Sequence, residues 1–184
     1  MNFPLCPRFQ AVLFDMDGTL LDTLSDMQDA VNHILLENGW PQRTLEEIRA
    51  FVGNGAAKLM ERAIPEPIAP QRFQEILSTY KDWYQAHNCI KTAPYPGIPE
   101  VLAELEKMGV KTAVVSNKPD ATTKALAEKF FPGMPALGQR DGVDPKPSPV
   151  LVAQALSDLG VRPENAVYVG DSEVDVATAR NAGL

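Results

Sequence analysis

The stretch Ala11-Val12-Leu13-Phe14-Asp15-Met16-Asp17-Gly18-Thr19 decides the fold. Its first four residues form a short, unbroken apolar run, which reads as a buried strand with Asp15 at its carboxyl end. Two more runs of this kind follow. Val110 to Val115 leads into Ser116-Asn117, and Ala166 to Val169 leads into Gly170-Asp171-Ser172. Around them the apolar residues recur at helical spacing, at about 98–108, 119–130, 148–159 and from Ser172 to Ala182. Strands alternating with helices make a parallel sheet covered on both faces. The expected core is therefore α/β, a flavodoxin-like three-layer arrangement.

Between the first strand and the helix at 98–108 the grammar is different. Helical stripes are expected from Leu24 to Asn38, from the capping box Thr44-Leu45-Glu46-Glu47 to near Gly53, from Ala56 to Ile64, and from Gln71 to His87. One crossover helix suffices to join neighbouring parallel strands, so this segment is surplus. It reads as an inserted all-helical cap over 20–91, with 1–19 and 92–184 forming the catalytic core. The chain leaves and re-enters the sheet near one place, as a lid over the strand ends requires.

Composition limits the partners. Of 184 residues, 45% are hydrophobic and 22% charged, a balance that supports a real core. The sixteen prolines sit in loops. A net charge of −7 argues against binding a nucleic-acid backbone. Two cysteines, Cys6 and Cys89, build neither a zinc site nor a disulfide framework, so a cytoplasmic setting is expected. Met1 to Gln10 lacks the apolar run of a leader, and no stretch approaches a membrane span. The expected partner is a small phosphorylated metabolite, met by a monomer or homodimer.

Ligands of open parallel sheets bind at the carboxyl ends of the strands. Asp15, Asp17, Asp171 and Asp175 should meet there, with Lys146 on a neighbouring loop. Such a cluster repels itself without a cation. Its donors are hard oxygens, with no His or Cys, which selects Mg²⁺. Mg²⁺ held by a few carboxylates and a substrate phosphate points to phosphoryl chemistry. One carboxylate can serve as nucleophile and a second as acid and then base, given opposed environments. The Ser116 hydroxyl, the Asn117 N–H and the Lys146 ammonium are placed to hold the transferring oxygens.

Asp15-Met16-Asp17-Gly18-Thr19-Leu20, Ser116-Asn117, Lys146-Pro147 and Gly170-Asp171-Ser172 with Asp175 resemble, in order, the four motifs of the haloacid dehalogenase superfamily. The resemblance runs from about residue 9 to the end. Within it, Phe51-Val52-Gly53-Asn54-Gly55-Ala56, Tyr95-Pro96-Gly97 and Ser116-Asn117-Lys118-Pro119 look like phosphoglycolate phosphatases. The resemblance implies that Asp15 is the nucleophile and Asp17 the acid/base. It also implies Mg²⁺ bound by the Asp15 carboxylate, the Asp17 backbone carbonyl and Asp171. Family members continue past Ala182-Gly183 for another strand and helix, so the last edge strand is expected to be missing here.

The expected activity is a Mg²⁺-dependent phosphomonoesterase working through an aspartyl phosphate, with 2-phosphoglycolate as the first substrate. Sugar-phosphate or nucleotide phosphatases and a sugar phosphomutase are the enzyme alternatives. A phospho-receiver domain, or a binding protein without turnover, is the alternative of another class. Thr19 reads either as a helix start or as a substrate contact. Asp175 reads as holding Lys146 or a metal-bound water. Selectivity falls to the cap, where Gly53, Asn54 and Lys58, with Arg62 one turn on, are the candidates for a carboxylate; the plainer reading is a solvated basic face. His33 and His87 read as ordinary helix residues.

Overall fold

The computed structural model describes residues 8–184; Cys6 and most of the N-terminal stretch read above for a leader lie outside them. Strand β1 (Ala11–Phe14) lies between β4 (Lys111–Pro119) and β6 (Ala166–Val169), and β5 (Ala136–Gln139) lies beyond β4. All pairings in this sheet are parallel. Phe14 stands level with Val114 and Val169. The next residues along all three strands therefore emerge at one edge of the sheet. The chain winds outward from β1 to β5 and then returns to β6 on the other side. That reversal beside β1 opens the crevice where ligands of such sheets bind.

Alternate residues of β1 enter two different cores, as the pleat requires. Ala11 and Leu13 pack with Leu151, Val152, Ala155 and Leu156 of helix α7 (Val150–Leu159). Val12 and Phe14 pack with Leu126 and Ala127 of α6 (Asp120–Phe130) and with Leu102 and Leu105 of α5 (Ile98–Lys107). Helix α8 (Glu173–Ala182) follows β6. The three layers agree with the α/β class read from the sequence, and β6 is an edge strand among the described residues.

Four helices share a third apolar core: α1 (Leu24–Glu37), α2 (Leu45–Phe51), α3 (Gly55–Ala63) and α4 (Pro70–His87). The capping box at Thr44 and Glu47 forms as read, each side chain bonding the other's backbone N–H. Outgoing and returning chain meet in a short antiparallel pair, β2 (Leu21–Asp22) with β3 (Ala93–Pro94). The buried Asp26 carboxylate clamps the return, accepting from the N–H groups of Ile90, Lys91 and Thr92 and from the Thr92 hydroxyl.

Four elements differ from the sequence reading. β2 and β3 are two-residue pieces with no periodicity to read. β5 hides in a stretch punctuated by Gly133, Pro135 and Gly138, which was read as loop. β4 runs on through Ser116, Asn117 and Lys118 instead of ending before them.

Candidate active site

Asp15 follows β1 and is anchored by its own N–H, which donates to the Val169 carbonyl at 2.9 Å. Its carboxylate is buried against Lys146, whose Nζ lies 3.0 Å from Oδ1. The contact is an ion pair without hydrogen-bond alignment, so Oδ1 has no hydrogen-bond partner. Burial outweighs the lysine and pushes the Asp15 carboxyl up to about 6. Asp175 and Asp17 push the same way.

Lys146 is held at three points. Nζ pairs with Asp175 Oδ1 at 2.8 Å and donates to the Tyr168 hydroxyl at 2.9 Å, besides facing Asp15. Tyr168 passes its own proton to the Val115 carbonyl at 2.6 Å. Burial works against the ammonium charge, but Asp15, Tyr168 and Asp175 together outweigh it and keep Lys146 charged. Asp175 is fixed in turn by Ser172, whose N–H and hydroxyl both donate to Oδ2. The same exchange caps α8. Of the two readings of Asp175, the geometry gives the one that holds Lys146.

Asp17 faces away from this pair. Its Oδ1 accepts from the Thr23 hydroxyl at 2.7 Å and its Oδ2 from Lys118 Nζ at 2.9 Å. Lys118 is buried, and its ammonium lies 4.7 Å from the centre of the Tyr84 ring on α4. The two neighbouring carboxyls thus have different surroundings. Burial drives the Asp15 carboxyl toward its neutral form.

Asp171 is exposed, and burial of its carboxyl, then Asp175, raises its pKa. Gly18 makes room for it. Gly18 has φ +80°, and a Cβ there would stand 2.1 Å from Asp171 Oδ2. Carboxylate oxygens of Asp15, Asp171 and Asp175 lie within 4.8 Å of one another. Both Asp175 oxygens are engaged by Lys146 and Ser172, which leaves Asp15 and Asp171 as side-chain donors for a cation. An all-oxygen donor set of this kind suits a hard divalent cation.

Asp15, Asp17 and Asp171 open into a cavity of about 630 Å³, whereas the buried Lys146 and Asp175 do not line it. Asp15, Asp17, Ser116, Asn117, Lys118 and Asp171 line it from the sheet side. Arg49, Gly53, Gly55, Tyr80, Lys81 and Tyr84 line it from the helical layer. Not every residue expected at the site is brought there. Thr19 does not line the cavity, and the hydroxyl that reaches Asp17 is that of Thr23. Lys58 points to solvent and pairs with Glu61 at 2.6 Å. Arg62 donates to the Phe51 carbonyl and to Asn54 Oδ1, which ties down the Gly53–Gly55 turn. Of that turn, Gly53 and Gly55 line the cavity and Asn54 does not. The cations on the cavity wall are instead Arg49, Lys81 and Lys118. No spacing in the sequence singles out Arg49 or Lys81, and Lys118 stands there only within the string Ser116-Asn117-Lys118-Pro119.

A family model described as haloacid dehalogenase-like hydrolase matches residues 12–184. The chain belongs to that family. It is 34% identical over 184 residues to a phosphoglycolate phosphatase of Pseudomonas putida, a match covering 94% of this chain and 66% of the relative. The chain thus spans about two thirds of the length of the curated relatives it matches first. It is 33% identical to the N-acetylmuramic acid 6-phosphate phosphatase of Pseudomonas aeruginosa, over 96% of this chain and 79% of that one. Among solved structures, a predicted phosphoglycolate phosphatase from Haemophilus somnus superposes with a TM-score of 0.87 at 27% identity. That match covers 96% of this chain and 83% of the other. The acidic group around Asp15 suits the metal dependence typical of phosphatases in this family. No helix among the described residues is long and apolar enough to cross a membrane.

Proposed function

We propose that the protein hydrolyses small phosphate monoesters, with the helical layer α1–α4 acting as a cap over a core built on the sheet. The observation that carries this reading is the buried Asp15 carboxylate at the cavity wall. Its Oδ1 faces the Lys146 ammonium at 3.0 Å and makes no hydrogen bond, and the residue lines the cavity. The Asp15 carboxylate attacks phosphorus as the bond to the leaving oxygen breaks, and Asp17 protonates that oxygen. Asp17 then takes a proton from a water molecule, which attacks phosphorus, breaks the acyl phosphate and restores the Asp15 carboxylate. Lys146 and the Ser116 hydroxyl hold the phosphoryl oxygens throughout. The Asp15 carboxylate, the Asp17 backbone carbonyl and Asp171 would hold Mg²⁺, which supplies positive charge that keeps Asp15 ionised and offsets charge on the phosphoryl group.

The preferred substrate in this reading is 2-phosphoglycolate. Relatives bearing that name support it, and so does the pair of cap cations, Arg49 and Lys81, which form no ion pair among the described residues. A second reading has its own observation. A cavity of about 630 Å³ exceeds the needs of a two-carbon ester and suits a sugar phosphate. Phosphate release from 2-phosphoglycolate, N-acetylmuramic acid 6-phosphate, a hexose phosphate and a nucleoside monophosphate separates the two. We expect the highest kcat/KM for 2-phosphoglycolate, no release in EDTA, and recovery on adding Mg²⁺. Undiminished release in EDTA would exclude metal-assisted catalysis, and a preference for the sugar esters would transfer the assignment to the second reading.

The cap cations give a sharper check. Arg49→Ala should raise KM for 2-phosphoglycolate roughly 5- to 100-fold, the loss of one charge-assisted hydrogen bond. Lys58→Ala should leave KM within a factor of about two, as an exposed helix pair contributes little. The reverse ranking would show that the face carrying Lys58 and Arg62 meets the substrate.

A further inference from the structure

The Asn117 carboxamide makes more bonds than holding a phosphoryl oxygen requires. Its Oδ1 accepts from the Lys146 N–H at 2.7 Å. Its Nδ2 donates to the Lys146 carbonyl at 3.1 Å and to the Gly53 carbonyl, on the helical layer, at 3.3 Å. Asn117 is buried. The backbones also approach closely here. Gly55 has φ +85°, and a Cβ on it would stand 3.3 Å from the Asn117 carbonyl oxygen. The Gly53–Gly55 turn is thus seated directly on Asn117, and the same side chain grips the peptide of Lys146 on both sides.

We infer that the Asn117 side chain is a positioning residue that latches the Gly53–Gly55 turn of the helical layer to the backbone of Lys146. The seating of the turn and the placement of the ammonium are then set together. The consequence for turnover rests on the phosphatase reading: a leaving group that seats the turn also fixes the lysine facing the phosphoryl oxygens. Gly55 has a reason in this arrangement, since a side chain there strains the turn and crowds the Asn117 carbonyl.

The latch can be read without any substrate. Lys146 lies between Pro145 and Pro147, which have no N–H, so its amide is an isolated probe of the Asn117 bond. Amide hydrogen exchange is measured for the full chain, for Gly55→Ala, for Asn117→Asp and for the double variant. Asn117→Asp keeps the acceptor for the Lys146 N–H but removes the donor to the carbonyls of Gly53 and Lys146. Gly39→Ala serves as a control, because it imposes left-handed strain (φ +71°) with nothing within 4 Å of the new Cβ. We expect Gly55→Ala to speed exchange at Lys146 about tenfold or more, Gly39→Ala to leave it unchanged, and Gly55→Ala to add nothing in the Asn117→Asp background. Unchanged Lys146 exchange in Gly55→Ala overturns the latch, as does full additivity in the double variant. Should the wild-type chain release no phosphate from any ester, the function fails while the exchange result still decides the latch. If it is active, Gly55→Ala should lower kcat more than it raises KM.

Discussion

Asp15→Asn is expected to abolish phosphate release and, in EDTA, to make the protein more stable. The first effect follows from removing the attacking oxygen together with a cation donor. Loss of a covalent nucleophile is worth roughly 10⁴-fold or more in kcat. The second follows from burial. The Asp15 carboxyl ordinarily titrates near 3.8 and is raised to about 6 in the folded chain. A raised value means that the folded state binds the proton more tightly than the unfolded state does. The resulting stability is fully present below about pH 4 and is lost as pH rises through 6. At pH 7 the ionised group is thus a net burden. Asparagine, neutral at every pH, removes it, for a gain on the order of 2–3 kcal/mol. Urea melts of the two proteins in EDTA at pH 7 and pH 4 check this. The advantage of the variant should be present at the first pH and vanish at the second. A variant less stable than wild type at pH 7 would show that the Lys146 pairing outweighs the desolvation of Asp15. Retention of a tenth of the activity would remove Asp15 from the role of nucleophile.

Lys146→Met should be the most damaging single change for stability. The ammonium is buried between two carboxylates, at 3.0 Å from Asp15 and 2.8 Å from Asp175, and no other lysine or arginine pairs with either of them among the described residues. Taking away the cation leaves two like charges facing each other out of water. Breaking a buried pair in this way typically costs about 3–5 kcal/mol. The Tyr168 hydroxyl loses its donor as well. Activity should disappear with the charge that faces the phosphoryl oxygens. Because methionine fills nearly the same space, packing loss contributes little. The double variant Asp15→Asn/Lys146→Met separates electrostatics from packing. With one carboxylate neutralised it should recover a good part of the lost stability, giving a favourable coupling of at least about 1 kcal/mol. Additive effects in urea melts would show that the lysine acts mainly as a filler of space.

Asp15, Asp17, Ser116 and Asp171 were legible in the sequence because each ends or follows a readable apolar run, whereas Lys146, on a loop, was picked out by the order of the motifs. An apolar run that stops at an acid leaves few choices for where the acid points. The chain reading also located the helical segment between β1 and α5, since its apolar period changes from continuous runs to every third or fourth residue. The paired sites around Asp17 were not legible in this way. Thr23 lies six positions from Asp17 and Lys118 lies 101 positions away. Only the turn after Met16 and the extension of β4 through Lys118 bring them to one carboxylate. Lys58 and Arg62 share a helix face, as read, but helical periodicity gives relative direction on one helix and not which face meets the sheet. That choice was made by the apolar face of α3, with Leu59, Met60 and Ala63 buried.

The sequence by itself thus determined the α/β class, the order of the helices and of the three strands that carry the site, and the carboxylates that stand at the strand ends. Those are consequences of local period and of the pleat, which act over a few residues. The tertiary structure decided which hydroxyl and which ammonium hold Asp17, which cations face the cavity, and that the Asn117 side chain spans the helical layer and the Lys146 loop. These depend on distances between segments far apart in the chain. They are set by how three apolar cores pack against one another, and no short-range pattern encodes that.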